Sequence, residues 1–437
     1  MSAHATNWPS MTIPTKLLHT ADLHLDSPLR SLALRDDRLR ARVETASRAA
    51  FDRIVDAALE ESVRALLIAG DLFDGRMRSA RTAAHLTSAF ERLGAAGVSV
   101  CLIKGNHDAE NPLSGMIDWP ANVHVFGGRG GSFHLEGTDI HIHGVSFRDR
   151  HAPESLLPRF PPPVPGAVNI GMLHTSLGGA AGHDVYAPCR IEDLRAHGYD
   201  YWALGHVHGR QVHGDDPWIV MPGMPQGRDI GEAGPKSATL IEVTDGGLSV
   251  SEIPTGLVQF QKLEIDLSGC RESADIRHRL RDALDRCAQA LAMDEAILRV
   301  RLHGQTPLHW SLARDRAEWE EALGRMAEDT GRLWVEAVDQ DISPPDADMR
   351  PADGAADELA AIIGELRASP GFLAEARATA EEVLSRLPQE RRAEVMPDER
   401  ALEALIARLA REGGDMLAAR LRSGARAEGD GVAGEDD

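Results

Sequence analysis

The chain has 437 residues, 43% of them apolar and 26% charged, with four cysteines and a formal net charge of −21. A domain usually takes about 100–200 residues, so this length predicts two to four domains with at least one large core. No apolar run approaches the roughly 18 residues of a membrane-spanning helix, which excludes a membrane protein of that kind. The cysteines lie far apart without CxxC spacing, which indicates reduced, packed thiols.

The first fifteen residues contain no basic region followed by an apolar stretch. We therefore expect no export signal, a cytoplasmic location and no membrane partner. The same residues are predicted to form a flexible N-terminal extension, 1–15.

The excess negative charge is concentrated late in the sequence, where residues 341–437 hold 22 acidic and 12 basic residues. Residues 27–53 have the opposite balance, with seven arginines and four acidic residues. Binding to a polyanion needs a local positive surface rather than a positive total. The overall charge therefore does not exclude nucleic acid as a partner.

Short apolar runs alternate with longer amphipathic stretches in residues 16–257, a pattern typical of an α/β domain. Helices predicted at 36–61 and 79–96 connect the first three strands, which should therefore be parallel. Later strands follow one another without long helices, which predicts a second sheet and hence a sandwich. The apolar runs predict strands at 16–20, 64–70, 99–105, 122–126, 139–147, 168–175, 199–206, 218–222 and 238–253.

The rest of the sequence predicts a smaller domain and a helical segment. Strands and helices alternate as βαβαβ in residues 258–340, which is long enough for an independent α/β capping domain. Three prolines and five aspartates mark residues 341–357 as a linker. Apolar residues at helical spacing predict helices in 358–424, with a helix stop at Gly413 and Gly414, and the acidic tail 425–437 is predicted to be disordered.

Five segments place residue types that ligate metals just after a predicted strand. Because ligands gather at the strand ends of an α/β sheet, we expect these side chains to lie close together. Each short motif is common by chance, but five in this order are not. A purely structural set of polar residues is the alternative, and it is disfavoured by the cost of clustering such groups. The segments are ADLH with Asp22 and His24, GDLFD with Asp71, GNHD with Asn106, LHT with His174, and GHVH with His206 and His208.

Carboxylate, carboxamide and imidazole ligands without thiolate suit a pair of divalent first-row ions. Two ions roughly 3.5–4 Å apart would bind the oxygens of a phosphate ester and activate water, so phosphoester hydrolysis is the predicted reaction. Asp71 is expected to bridge the two ions. We assign Asp22, His24 and His208 with Asp71 to one ion, and Asn106, His174 and His206 with Asp71 to the other.

His107 follows the predicted ligand Asn106, and adjacent side chains diverge, so His107 is expected to face the substrate. There it would donate a proton to the leaving oxygen or a hydrogen bond to the phosphate, with Asp108 fixing its tautomer. The alternative is a histidine that only stabilises its loop.

In these motifs the chain resembles the calcineurin-like metallophosphoesterases, whose pattern is DxH, GDxxD, GNH[DE], a lone His and GHxH. Residues 16–210 carry all five. The stretches LHTADLHLDSPL, IKGNHD, HDVYAPC and YDYWALGHVH are similar to one bacterial branch, the DNA-repair exonuclease subunits of the SbcD/YhaO-like type.

The resemblance implies a four-layer αββα nuclease core, a small capping domain and a C-terminal helical segment. It implies that this segment docks on an SMC-like coiled-coil ATPase (SbcC/YhaN-like), and that exposed helices of the core form a homodimer. Some relatives have a histidine at the position of Asp74, where it helps to place the phosphate for exonucleolytic cutting. Here Asp74 either hydrogen-bonds a ligand histidine or caps its loop, and cutting polarity does not follow from it.

Other substrate contacts have weaker support in the sequence. Arg30 and the arginines that follow it as far as Arg53 either track a DNA backbone or form a solvated helix face. His183 either lines the substrate groove or is an ordinary loop residue. His141 and His143 alternate in a strand and are predicted to be structural.

Three functional hypotheses follow. The first is a Mn²⁺-dependent DNA exonuclease or endonuclease that acts in DNA repair with an ATPase. The second is a small-molecule phosphodiesterase or phosphatase, because the same motifs serve many phosphate esters. The third is a scaffold subunit that holds an ATPase. Intact ligands disfavour the third, and the capping and helical segments disfavour the second.

Overall fold

The computed structural model describes residues 14–27, 37–74, 79–111, 117–178, 186–345, 355–387, 392, 396 and 398–429. These described residues form fifteen strands in three sheets. The strands are β1 (Thr15–Thr20), β2 (Ala65–Ala69), β3 (Ser99–Ile103), β4 (Val123–Val125), β5 (Gly131–Leu135), β6 (Ile140–Gly144), β7 (Val168–His174), β8 (Tyr201–Gly205), β9 (Gln211–Asp215), β10 (Trp218–Met221), β11 (Ser237–Thr244), β12 (Gly247–Pro254), β13 (Val258–Asp266), β14 (Glu295–Gln305) and β15 (Leu333–Ser343).

Helices precede, connect and follow these strands. They are α1 (Asp37–Glu60), α2 (Ala80–Ala95), α3 (Asn106–Glu110), α4 (Ile191–His197), α5 (Ser273–Ala290), α6 (His309–Arg314), α7 (Arg316–Asp329), α8 (Ala355–Arg367), α9 (Pro370–Ser385) and α10 (Glu399–Gly429). The chain divides into two compact units, one of Met1–Lys262 with Ala290–Leu298 and the other of Leu263–Gln289 with Arg299–Asp437.

Sheet I has the strand order β12-β11-β1-β2-β3-β4, in which β1 to β4 are parallel and β11 and β12 antiparallel. Side chains alternate between its two faces, so neighbouring leucines enter different cores. Leu18 and Leu66 pack with Phe51 and Phe90 of α1 and α2, whereas Leu17 lies in the core between the sheets. The predicted parallel connection through two helices is confirmed.

Sheet II has the strand order β5-β6-β7-β8-β10-β9, and its four central strands are parallel. Ile142, Ile170 and Tyr201 face sheet I in the shared core. On the opposite face Trp202 packs with Leu194 of α4. Helices, sheet I, sheet II and the α4 layer therefore stack in the order expected for an αββα sandwich.

The sequence pattern misses the two edge strands of sheet II. β5 begins with a glycine, and β9 reads QVHGD, which has a single apolar residue. An edge strand is paired on one side and often exposed on a face, so it needs no continuous apolar run. The alternation that identifies central strands is therefore too weak here.

The second unit contains most of the third sheet, with strand order β13-β14-β15. α5 buries Ile276, Leu280 and Leu284, whose spacing of four residues places them on one face. The βαβαβ order predicted for this region is present, with the short helix α6 added before α7.

α10 packs against α8, α9 and α6 in the same unit. The predicted helix stop at Gly413 and Gly414 is wrong, because α10 runs through both residues. A Cβ at Gly414 would lie 3.3 Å from Cγ2 of Ile363, so the missing side chain lets α10 approach α8 closely. That packing outweighs the roughly 1 kcal/mol that a glycine costs inside a helix.

α10 also extends to Gly429, so the first part of the tail predicted to be disordered, 425–429, is helical. Residues 430–437 lie outside the described residues, as does most of the predicted N-terminal extension. Across the described chain, the helices are too short or too polar to span a bilayer.

Candidate metal centre

Five strand ends meet at one edge of the sandwich, and each carries predicted ligands. β1 leads to Asp22 and His24, β2 to Asp71, β3 to Asn106, β7 ends at His174, and β8 leads to His206 and His208. Because these strands are parallel within each sheet, their carboxyl ends share an edge.

The backbone is turned into an unusual conformation at several of these ligands. Asp22, His24, Asp71 and His206 have φ angles of 53°, 41°, 53° and 101°. A positive φ in a residue other than glycine costs about 1–3 kcal/mol and persists only where the surroundings enforce it. Such strain at four of the seven predicted ligands is typical of a functional site.

Two glycines of the motifs leave room that a side chain would fill. A Cβ on Gly105 would overlap the carboxylate of Asp71, and a Cβ on Gly70 would overlap the ring of His174. Gly70 also has a φ of +92°. The glycines of GD and GN are therefore part of the site, because they let neighbouring strand ends approach each other.

Asp71 lies at the centre of the cluster. Its Oδ1 accepts a hydrogen bond from the backbone N–H of His107 at 2.9 Å, and its Oδ2 lies 3.4 Å from Nε2 of His174 and 3.9 Å from Nε2 of His24. Burial raises the pKa of this carboxyl, but the positive charge of His174 has the larger effect in the opposite direction. The pKa of Asp71 therefore lies below its usual range. Asp71 is therefore an anion with imidazoles on two sides.

His174 is held in one orientation by the backbone. Its Nδ1–H donates to the carbonyl oxygen of Ala69 at 3.0 Å, which leaves Nε2 facing Oδ1 of Asn106 at 3.1 Å. Burial lowers the pKa of His174, but the carboxylate of Asp71 outweighs it and raises that pKa to about 9. The ring of His206 lies 5.2 Å from that of His174, and burial with the His174 charge lowers its pKa to about 3.

The second group of predicted ligands contains Asp22, His24 and His208. The backbone N–H of His206 donates to both oxygens of Asp22, at 3.1 and 3.0 Å, and burial raises the pKa of this carboxyl. Nε2 of His24 lies 3.1 Å from Nε2 of His208. Among the described residues, buried Nδ1 of His24 has no hydrogen-bond partner.

These donors fit divalent cations. The ligand atoms of Asp22, His24 and His208 lie within 4.8 Å of one another, and so do those of Asp22, Asp71 and His174. Two imidazole nitrogens that face each other at 3.1 Å need a proton or a cation between their lone pairs. The set contains oxygen and nitrogen donors of the types that first-row divalent ions accept.

Glu232 is part of the site, although no sequence motif indicates it. Its Oε1 lies 2.7 Å from Nδ1 of His208, and Arg228 holds the same carboxylate through its side chain and its backbone N–H. Burial raises the pKa of Glu232, but hydrogen bonds from His208 and Arg228 lower it below its usual range. No short motif links this residue to the metal pattern, since it lies 24 positions after His208 in a 3₁₀ turn.

Asp108 connects two of the motif loops, and the role predicted for it beside His107 stays a prediction. Its two oxygens accept the backbone N–H groups of Leu72, Phe73 and Gly105, so the carboxylate ties the GDLFD loop to the GNHD loop. Burial and the charge of Asp71 raise its pKa to about 6.

Asp74 lies beside two histidines of the cluster. Its Oδ1 lies 3.6 Å from Nδ1 of His107 and 3.8 Å from Nδ1 of His24. The side chain of His107 is 32% exposed, whereas His24 is 1% exposed. His107 is therefore half-buried with an open face, and so is His208, whose side chain is 29% exposed.

Two of the arginines predicted to contact substrate bind other parts of the chain. Arg30 and His183 lie outside the described residues, as do the side chains of the arginines in the first turns of α1. Arg48 pairs with Asp26 at 2.6 Å, and Arg53 donates to the carbonyl oxygen of Gly256 at 2.7 Å. These two arginines therefore support the chain's own structure.

Two histidines outside the cluster lie within β6. His143 is buried between Asn169 and Ser132, in line with a structural residue. His141 is half-buried, and its ring stacks on His134 of the neighbouring strand.

The fold and the site define a metallophosphoesterase. Residues 15–210 match the calcineurin-like phosphoesterase family, and residues 260–343 match the middle domain of the metallophosphoesterase YhaO. The chain belongs to the calcineurin-like phosphoesterases.

Within that family the chain is similar to an uncharacterized metallophosphoesterase, YhaO, of Bacillus subtilis. The two are 34% identical over 316 residues, which cover 71% of this chain and 77% of the relative. This chain is also 24% identical to the DNA double-strand break repair protein Mre11 of Methanopyrus kandleri, over 61% of this chain and 62% of that protein. The match therefore spans less than two thirds of that Mre11 protein.

A dimetal phosphatase from Danio rerio is among the similar solved structures. It is 13% identical and covers 55% of this chain and 98% of its own, with a TM-score of 0.33.

Proposed function

We propose that this chain is a two-metal nuclease that hydrolyses phosphodiester bonds of DNA, with Mn²⁺ as its metal. The observation that carries the proposal is the convergence of carboxylates and imidazoles at one sheet edge, where the ligand atoms of Asp22, Asp71 and His174 lie within 4.8 Å of one another, as do those of Asp22, His24 and His208. One ion would be held by Asp22, His24, His208 and Asp71, and the other by Asn106, His174, His206 and Asp71. Divalent ions bound there supply the positive charge that polarises a phosphate ester and activates water.

The protein's own groups would do the rest of the chemistry. Backbone N–H groups fix the carboxylates of Asp22 and Asp71, so these anions need not reorganise when substrate binds. His107 has an exposed face and would donate a proton to the leaving oxygen. In the protonated ring, Nδ1–H would face the carboxylate of Asp74, 3.6 Å away, and Nε2–H would be the proton given to the leaving oxygen.

DNA is the substrate that we infer from the relatives. Seven of the matched proteins are named as DNA double-strand break repair proteins of the Mre11 type. These relatives are 22–29% identical, so their substrate is a hypothesis for this chain. We propose a role in DNA repair on the same basis.

An SMC-like coiled-coil ATPase is the partner that we propose for the C-terminal helices. α9 and α10 form an apolar groove of about 490 Å³, lined by residues such as Phe372, Val383 and Leu409. Val383 is 58% exposed and Leu409 is 52% exposed. A helix of a coiled coil would cover such a groove with apolar residues at positions i, i+3 and i+4.

A cytoplasmic location and a homodimer also remain our proposals. The four cysteines, all in described parts of the chain, are buried free thiols, as suits a reducing compartment. Dimerisation rests on the family resemblance.

The experiment that tests the nuclease proposal is digestion of end-labelled duplex, hairpin and single-stranded DNA with Mn²⁺. Asp71→Ala removes the central carboxylate and identifies any contaminating nuclease. The expected result is cleavage that vanishes in the variant, and the product ladder then gives the cutting polarity.

A simple phosphodiester, bis(p-nitrophenyl) phosphate, is assayed in parallel, and all DNA reactions are repeated with the coiled-coil ATPase. Hydrolysis of the simple ester with intact DNA in both conditions would contradict the nuclease proposal. That outcome would support a small-molecule phosphodiesterase. Cleavage only with the ATPase would support a nuclease that depends on its partner.

A further inference from the structure

Glu232 stands out among the groups that the proposed reaction does not use. It lies in a 3₁₀ turn, Ile230–Glu232, that comes after β10 in the chain. Asp229 is the N-cap residue of this turn. The Asp229 side chain accepts the N–H of Gly231 and so fixes the turn. The side chain of Glu232 is 13% exposed, and it points at His208.

The contact between Glu232 and His208 requires a proton on one nitrogen. Oε1 and Nδ1 are 2.7 Å apart, and an ionised carboxylate has only lone pairs to offer. A bare Nδ1 at that distance would repel it, so Nδ1 carries the proton and donates it. In the neutral ring Nε2 then has the lone pair, and Nε2 is the atom that faces His24 at 3.1 Å.

Arg228 holds Glu232 in place. Its Nη2 donates to Oε1 at 2.8 Å, and its backbone N–H donates to Oε2 at 2.8 Å. Nη2 also lies 3.3 Å from Nδ1 of His208, but the carboxylate is nearer, at 2.7 Å, and can only accept, so Nδ1 donates to Glu232. The carboxylate of Glu232 therefore accepts hydrogen bonds from the side chain and the backbone of Arg228 and from the imidazole of His208.

We propose that Glu232, clamped by Arg228, is a positioning residue that fixes the ring orientation and tautomer of His208 for the metal held by Asp22, His24 and His208. The inference rests on the proposed metal centre. It adds a residue from outside the five motifs and predicts that the two metal positions depend on it unequally. Carboxylates that hold a metal-binding histidine typically change metal affinity about 10–100-fold when they are removed.

The test is a titration of the metal-free chain with Mn²⁺, in which binding is measured by calorimetry and by electron paramagnetic resonance. We compare wild type with Glu232→Ala, Glu232→Gln and the control Glu61→Gln. Glu61 forms a 2.6 Å ion pair with Lys16 at the start of β1, at the opposite end of that strand from the ligands. Glutamine can still accept the Nδ1 proton, so it should partly rescue the alanine effect.

The expected result is two binding steps in wild type, with one step weakened about 10–100-fold in Glu232→Ala and the other unchanged. In Glu232→Ala, the spin-coupled signal of two neighbouring Mn²⁺ ions should be replaced by the signal of a single Mn²⁺ ion. Glu232→Gln should be intermediate and Glu61→Gln unchanged. Melting without metal shows whether each variant is folded.

Other outcomes separate this inference from the proposed function. Two unchanged steps in Glu232→Ala, or equal weakening of both steps in folded protein, would overturn the positioning role and leave the metal centre standing. Absence of Mn²⁺ binding in wild type would overturn the metal centre, and this inference with it.

Discussion

At the residue scale, His107 and Asp71 have separable roles although their atoms touch. The backbone N–H of His107 supports Asp71, whereas its ring lies beside Asp74 with an open face. We therefore expect His107→Ala to keep Mn²⁺ affinity, because the supporting N–H group remains. Turnover should fall about 10²–10⁴-fold, the usual contribution of a positioned proton donor.

The measurement is kcat for a simple phosphodiester, with Mn²⁺ binding measured on the same sample. His141→Ala is the matched control, since it removes a half-buried histidine of β6. Full activity in His107→Ala would remove this residue from the mechanism.

Gly105 gives a second prediction at the residue scale, because a side chain there would overlap the carboxylate of Asp71. Gly105→Ala should displace Asp71 and weaken Mn²⁺ binding, with a destabilisation of about 1–3 kcal/mol as for other overpacked sites. Gly127→Ala is the control, since a Cβ added there would have no atom within 4 Å and its φ is not positive. Equal Mn²⁺ affinity in the two variants would contradict the close approach of the GD and GN loops.

At the scale of elements, His19 of β1 links the two sheets. Its Nδ1 lies 2.9 Å from the hydroxyl of Tyr201 on β8, and its Nε2 lies 3.1 Å from the carbonyl oxygen of Leu204. Burial lowers the pKa of His19 to about 3. The ring therefore stays neutral in the folded state over a range in which the unfolded chain binds a proton.

This difference predicts an acid-dependent loss of stability. A histidine has an unfolded pKa of about 6.5, so between that value and about 3 the unfolded state holds up to one more proton. Stability should fall with decreasing pH by at most about 1.4 kcal/mol per pH unit from this residue, and the effect should be absent above neutral pH.

The measurement is urea unfolding of metal-free wild type and His19→Gln at pH 7.5, 6 and 4.5. The variant should be less stable at pH 7.5, because a buried hydrogen bond is lost, at about 1 kcal/mol. The difference in unfolding free energy between wild type and the variant should become smaller as the pH falls, because wild type loses the stability contributed by the neutral His19. A constant difference across the three pH values would show that His19 does not titrate between the two states.

At the scale of the whole molecule, the chain combines a hydrolytic core with a helical segment that exposes apolar side chains. Leu409 lines the groove between α9 and α10, whereas Ile362 of α8 is similarly exposed, at 53%, but is not among the groove residues. Leu409→Glu should abolish co-purification with a co-expressed coiled-coil ATPase, because burying an unpaired charge costs several kcal/mol. Hydrolysis of the simple ester should be unchanged.

Ile362→Glu is the matched control and should retain the partner. Equal retention by both variants would show that the groove is not the docking site. Loss in both would place the interface on a wider surface of the helical segment.

The sequence by itself determined the family and the parallel connection of the first three strands, and it predicted seven ligands at strand ends. It could do so because apolar runs mark buried strands, and because residues such as Asp71 and His174 lie directly after those runs. Parallel strands then bring their ends to one edge whatever the lengths of the connections. Local patterns are sufficient for this part of the structure.

Only the tertiary structure decided which side chains support the ligands. Glu232 accepts a hydrogen bond from His208, which lies 24 residues earlier in the chain. Asp108 accepts hydrogen bonds from backbone amides of another loop, and Asp74 lies beside His107. α10 likewise continues through Gly414 because α8 packs against it. These outcomes depend on contacts between distant segments, which have no period or spacing in the sequence, so they follow from packing and hydrogen-bond satisfaction in the folded chain.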